Sequence, residues 1–273
     1  MLNIIQTIIA FILFVSGLTL AALNIYGEFN TMRTPVFFDD EVRFINDQPT
    51  EFEQTILQLD RLEGESDLQF SNRVTKVIAA GLAHIHWERY DAEKFNQLIP
   101  IWENYFLYFM GKYSGIPEYE KYHFSDYKRS LERGIGICGD ASMILSQVLS
   151  NNHIKNNIIT FPSHVIVSAQ FAQNKEQLFD ADFGVSLPFS PDELKQSPFL
   201  VNDYYLDAGY FDNDVKAFNR IYDNDYKRWN GVQHFITNKY YFEKAAYFLK
   251  WPIPIFFIVI SLFYFIKRKQ SKT

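Results

Sequence analysis

The sequence predicts an α+β fold flanked by two transmembrane helices, and three observations predict it. Helical spacing of apolar residues runs through 51–133, an amphipathic helix over 138–150 is followed by short alternating runs, and both ends are apolar and uncharged. Residues 4–26 form a 23-residue run interrupted only by uncharged polar side chains. At ~1.5 Å per residue a helix of that length crosses a ~30 Å hydrocarbon core. Thr19-Leu20-Ala21 is a passable cleavage site. The stretch before the run nevertheless has no Lys or Arg, and the run exceeds the ~7–15 apolar residues of a signal peptide, so it reads as a transmembrane helix.

The interior elements follow in order. Residues 51–62 place Phe52, Ile56, Leu57 and Leu59 at helical spacing, and 67–90 extend the pattern with Phe70, Val74, Val77, Ile78 and Leu82. An aromatic-rich helix over 102–113 ends at Gly115-Ile116-Pro117. Ala141, Ile144, Leu145, Val148 and Leu149 share one helical face, and Asn151-Asn152 stops that helix. Three β-like runs come next, at 157–161, 163–171 and 177–183. The polar residues Gln173, Asn174, Lys175 and Glu176 read as the turn of a hairpin between the last two.

Beyond Pro188 the chain is mixed, rich in Asp and Tyr, and leads back to a second apolar run at 251–266. Residues 245–249 lengthen that run, Lys250 is expected to snorkel its amine to the interface, and Pro252 and Pro254 suit a helix start or a kink. Lys267-Arg268-Lys269 directly after it places the C-terminus in the cytoplasm by the positive-inside rule. Two spans put the N-terminus there as well, so residues 28–250 face the periplasm or the cell exterior. The organisation predicted is a transmembrane helix (1–27), a mainly helical segment (28–124), a catalytic core (125–190), a mixed extension (191–244) and a transmembrane helix with its basic tail (245–273).

All 32 acidic residues lie in 28–250 with only 22 of the 26 basic ones, a net charge of −10. Such a surface repels phosphate backbones, which argues against nucleic acid as a partner. The lipid bilayer is the one partner the composition names directly. The single cysteine, Cys138, has no intramolecular disulfide partner. In an oxidising compartment a lone thiol is either deeply buried or kept for its chemistry.

Cys138 opens the amphipathic helix, His164 opens a strand and Asp180 lies on the neighbouring one. A thiol at a helix N-terminus meets unpaired N–H groups and the positive end of the dipole, which favour the thiolate and offer an oxyanion site. An imidazole takes the thiol proton and returns it to a leaving amine, and a carboxylate behind the imidazole fixes its tautomer. Gly134, Gly136 and Gly139 permit close approach of backbone to a substrate carbonyl. Asp182 competes with Asp180 for the third place: strand register leans to Asp182. This order of residues calls for no cofactor and no metal.

Three segments carry a family resemblance: Arg133-Gly134-Ile135-Gly136-Ile137-Cys138-Gly139-Asp140-Ala141, then Ser163-His164-Val165, then Asp180-Ala181-Asp182-Phe183-Gly184. Over 125–190 the chain resembles the transglutaminase-like superfamily, whose core is papain-like and whose signature is a Gly-x-Cys-x-x-Ala helix start, a His on a strand and an Asp-Pro-x-x-Gly-like segment. Ala181 stands where that pattern has Pro, and Val165 where an aromatic residue is common. The resemblance implies Cys138 as nucleophile, His164 as base and Asp180 as orienting carboxylate; the outward-facing section makes a protein or peptide of the cell envelope the expected substrate. The expected function is a membrane-anchored thiol enzyme acting on amide bonds through an acyl-enzyme, as peptidase, amidase or transamidase. The competing expectation is a non-catalytic binding or assembly module of a membrane complex.

Other polar groups read as structural. His84 and His86 resemble a metal pair, but the helix predicted there turns i and i+2 to nearly opposite faces. His123, His153 and His234 have no partner visible in the sequence. Asp212, Asp214, Asp223 and Asp225 lack the spacing and Gly of a calcium loop and read as a solvated surface.

Overall fold

The computed structural model describes residues 2–171 and 175–270; Gln173 and Asn174 of the expected turn and Lys272 of the tail lie outside the described residues. In chain order the elements are α1 (Leu2–Gly27), α2 (Phe52–Gln58), α3 (Asp67–Ala80), α4 (Tyr105–Tyr113), α5 (Pro117–Glu120), α6 (Tyr127–Arg133) and α7 (Cys138–Asn151). Then come β1 (Asn156–Phe161), β2 (His164–Gln170), β3 (Glu176–Asp180) and β4 (Val185–Leu187), followed by α8 (Pro191–Gln196), α9 (Asn202–Asp207) and α10 (Asp212–Tyr222). The chain closes with β5 (Lys227–Trp229), α11 (Val232–Phe235), α12 (Thr237–Leu249) and α13 (Pro252–Gln270). The fold is α+β, with one antiparallel sheet in the order β4-β3-β2-β1-β5.

Two compact units result: residues 1–32, 91–122 and 241–273 in one, and 33–90 with 123–240 in the other. The segment 28–124 is therefore shared between them.

In the second unit, alternation sends the strand side chains to two faces, and both are covered. Val167, Ala169 and Phe179 pack with Ala141, Ile144, Leu145 and Val148 of α7 and with Phe70, Val74 and Ile78 of α3. Ile159, Phe161, Ile166 and Leu178 pack with Leu194, Val201, Tyr205, Phe218 and Tyr222. Burying an apolar side chain of this size stabilises by about 1.5–3 kcal/mol, so α7 is held on the sheet by its whole apolar face. The β1–β2 hairpin closes through Pro162 and Ser163, with Phe161 opposite His164. Ser163 adopts φ +67°, left-handed backbone that a non-glycine residue rarely takes.

Three expected elements differ. The helix predicted over 67–90 ends at Ala80, and the backbone at 83 and 85 is extended, bridging Ile85 to Val42 and Ala83 to Ile135. Leu82, Ala83 and Ile85 are buried there, a short extended run that the helical reading absorbed. Apart from a 3-10 turn at Lys94–Asn96, residues 81–104 carry no helix. The third strand stops at Asp180 instead of 183, because the chain turns through 181–184 with Gly184 at φ +69° and pairs back as β4.

In the first unit α1 and α13 run antiparallel. The hydroxyls of Thr7 and Tyr264 bond at 3.1 Å, and a Cβ on Gly17 would meet Ile258 Cγ1 and the Pro254 carbonyl at 2.9 Å. Small residues let membrane helices approach this closely. α1 is long and apolar enough to cross a membrane; α12 and α13 reach that standard only as a pair bent by 41°. The break falls before Pro252, which has no N–H to continue the helix. Lys250 is buried and does not snorkel: its amine donates to the Glu103 carbonyl (3.1 Å), and its own carbonyl accepts from Asn24 Nδ2 (2.6 Å) and the Tyr105 hydroxyl (3.1 Å).

Candidate active site

The site begins at the first turn of α7. Gly134 ends α6 in the left-handed conformation (φ +74°), where a side chain would be strained. A Cβ on Gly136 would press to 2.9 Å on Asp140. Gly139 is different, since nothing lies within 4 Å of a Cβ there, so the protein itself does not demand glycine at that position. Asp140, fully buried, accepts the Ile137 N–H at 3.0 Å and His123 Nδ1 at 2.7 Å. Burial alone would raise the Asp140 pKa, but the charge and hydrogen bond of His123 and the Arg133 charge hold it below the usual range. His123 stacks on Trp87 at 4.4 Å, and the buried Arg133 guanidinium lies over Phe124 and Trp87. This block fixes the helix start that carries Cys138.

Cys138 Sγ, a ring nitrogen of His164 and a carboxylate oxygen of Asp182 all lie within 4.8 Å of one another. Cys138 is half-buried, whereas His164 is buried, so the thiol is the member open to solvent. His164 Nε2 pairs with Asp180 Oδ2 at 2.7 Å, which leaves Nδ1 as the nitrogen available to the thiol. Burial lowers the His164 pKa, but the Asp180 charge and hydrogen bond, reinforced by Cys138, outweigh it and raise the pKa well above the ordinary value. An imidazole so placed is a strong base toward the adjacent thiol.

Asp180 is fully buried and richly satisfied. Its Oδ2 also accepts from the Tyr205 hydroxyl at 2.6 Å, and its Oδ1 accepts the N–H groups of Asp182 and Phe183 at 3.2 and 3.3 Å. Tyr205 in turn bonds the Tyr222 hydroxyl at 2.7 Å. Burial, then the Asp180 charge, raises the pKa of both tyrosines well above the usual phenol value, so both stay as neutral donors.

Extending the β2–β3 register from Val167 opposite Phe179 sets His164 across from Asp182. The ring nonetheless bonds Asp180, because Asp182 has already left the strand for the turn. The site thus brings together Cys138, His164 and Asp180, and adds Asp182 at the thiol.

A further group had no role in the sequence reading. His84 Nδ1 lies 2.9 Å from Asp47 Oδ2, and its Nε2 lies 2.9 Å from the Asp182 carbonyl and 3.2 Å from Asp182 Oδ1. Acceptors on both nitrogens require both to carry hydrogen, so His84 is an imidazolium. Burial opposes that charge, but the carboxylates of Asp182 and Asp47 prevail and lift the pKa to about 10. The partners are 37 and 98 residues away, which no local pattern reveals. His86, two residues on, is not among the residues that converge here.

The remaining candidates are local. His234 Nδ1 bonds the Asn230 carbonyl at 2.6 Å, and His153 sits just past α7 at φ +61°. Asp214 accepts the Phe211 N–H at 3.3 Å at the start of α10, and Asp225 pairs with Lys195. No family model, no curated protein and no solved structure matches this chain.

Proposed function

We propose that this chain is a membrane-anchored thiol enzyme of transglutaminase-like, papain-related type that acts on amide bonds through an acyl-enzyme on Cys138. The observation that carries the proposal is the line Cys138–His164–Asp180 at the start of a helix packed on the sheet, with the thiol half-exposed. In this reading His164 takes the thiol proton as sulfur attacks the substrate carbonyl. Backbone N–H groups of the first turn of α7 stabilise the oxyanion, and His164 protonates the departing amine. Water then releases an acid, or an amine accepts the acyl group. Asp180 holds the imidazole and balances its charge. The substrate is a protein or peptide of the cell envelope, met by residues 28–250 on the periplasmic or extracellular side, with both termini cytoplasmic.

The test uses the full chain in detergent with acyl-donor peptides and mass spectrometry of the trapped intermediate. The expected result is an acyl adduct on Cys138 that is absent from Cys138→Ala, a variant that keeps its fold because it loses one small side chain. Turnover in Cys138→Ala equal to that of the native chain would overturn the proposal.

A further inference from the structure

We propose that Cys138, His164 and Asp182 form a Zn²⁺ site whose occupancy switches the thiol off. The metal site stands on its own geometry; the inhibition rests on the acyl-enzyme reading. Among the described residues these are the three metal-ligating side chains that converge, with donor atoms within 4.8 Å of one another. Tetrahedral zinc, with Zn–S of ~2.3 Å and Zn–N or Zn–O of ~2.0–2.2 Å, needs donors about 3.5 Å apart, a closure of the order of 1 Å that side-chain rotation supplies. One sulfur, one imidazole nitrogen and one carboxylate oxygen suit zinc and leave a fourth position for water.

The groups behind the donors match what a zinc site requires. A ligating histidine ordinarily passes its other N–H to a carboxylate. His164 does so, through Nε2 to Asp180 at 2.7 Å, which leaves Nδ1 as the nitrogen for the metal. A ligating carboxylate is ordinarily held by a partner, and His84 Nε2 stands 3.2 Å from Asp182 Oδ1.

Asp182 supplies the independent observation. It is 5% exposed, its Oδ1 faces the His84 imidazolium at 3.2 Å, and the Cys138–His164–Asp180 line does not use it. A buried carboxylate is costly to keep charged, and a metal ion at the side facing Cys138 and His164 adds to the compensation that His84 supplies. Once the proton shared by Cys138 and His164 has left, the four negative charges of Cys138, Asp47, Asp180 and Asp182 face the single positive charge of His84, and a divalent ion offsets two of the three in excess. On binding, the proton that the thiol and His164 Nδ1 share goes to solvent, sulfur and Nδ1 then each donate a lone pair to the metal, and no electrons change hands. Nucleophile and base are then both occupied.

The test takes the full chain in detergent, stripped with a chelator, and titrates it with Co²⁺ and then Zn²⁺. The expected result is one Co²⁺ per chain, with a thiolate-to-metal charge-transfer band that zinc displaces. Zinc should also slow iodoacetamide alkylation of Cys138 at least tenfold. Asp182→Asn should weaken zinc binding at least tenfold, and Cys138→Ser should lose the band. Absence of the band, or unchanged zinc affinity in Asp182→Asn, would overturn the site. Acyl adducts that form equally fast under saturating zinc would overturn the inhibition alone. Turnover that requires zinc would overturn the inhibition and the acyl-enzyme reading together, and leave the site standing.

Discussion

Asp180 and Asp182 are two residues apart and chemically identical, yet their surroundings give them different work. Asp180 collects four hydrogens, from His164, Tyr205 and two backbone amides, whereas Asp182 Oδ1 has the His84 imidazolium alone, at 3.2 Å. An amide at 180 presents an NH₂ to one side, where the present carboxylate accepts on both. Asp180→Asn should therefore misorient His164 and lower turnover by a large factor, of the order of the 10⁴ seen for a triad carboxylate, with Asp182→Asn costing far less in metal-free enzyme. Parallel measurement of kcat/KM for both variants checks this, and the ranking is the decisive quantity. Tyr205→Phe removes the shortest bond to Asp180 and leaves the Tyr222 hydroxyl without that partner. The expected cost is about 1–3 kcal/mol of stability, read from chemical denaturation, with a smaller loss of turnover than in Asp180→Asn because His164 keeps its bond.

At the scale of elements, the extended run after α3 pins the turn that carries Asp182, through His84. A folded-state pKa of about 10 against an ordinary 6.5 means that the imidazolium contributes stability in full below pH 6.5 and loses it as pH rises toward 10. A shift from 6.5 to about 10 corresponds to the order of 5 kcal/mol. His164 is shifted in the same direction, so the informative quantity is the difference between native and His84→Gln denaturation curves over pH 6.5–10. The native midpoint should fall with rising pH, and the variant, already less stable at pH 6.5, should fall less. Equal slopes would show that His84 is neutral.

The same elements show what the sequence discloses. The helix opened by Cys138 and the strand opened by His164 were legible, because 3.6- and 2-residue periods survive in Ala141–Val148 spacing and in Val165–Phe171 alternation. The end of β3 was not: Phe179, Ala181 and Phe183 alternate like a strand, but the N–H groups of Asp182 and Phe183 fold back on Asp180. His84, Asp47, Tyr205 and Tyr222 left no local trace, since each acquires its role from a partner brought near by folding. The Pro162–Ser163 turn sits between these cases, its Pro visible and its positive φ not. Ser163→Gly should relieve left-handed strain of about 1 kcal/mol, partly offset by greater freedom of the unfolded chain, giving equal or slightly higher stability by denaturation.

For the whole molecule, the antiparallel pairing of α1 and α13 constrains where the termini lie. Thr7 meets Tyr264, Gly17 meets Pro254 and Ile258, and Asn24 meets the Lys250 carbonyl, so the two helices run side by side over one thickness. Twenty-six residues of α1 rise about 39 Å, and the nineteen of α13 about 28 Å, both on the scale of a ~30 Å core. If that pair spans the bilayer, both termini share a side, and the basic triplet Lys267-Arg268-Lys269 predicts by the positive-inside rule that this side is the cytoplasm. In sealed, right-side-out vesicles, added protease should digest residues 28–250 while a tag after Thr273 stays protected; digestion of the tag would reverse the orientation. Gly17→Leu places a branched side chain where even a Cβ comes within 2.9 Å of the Pro254 carbonyl, so it should part the helices. Cysteines introduced at Thr7 and Tyr264, in a Cys138→Ala background that removes the native thiol, report that separation directly. They should cross-link readily with Gly17 present, and Gly17→Leu should suppress the cross-link.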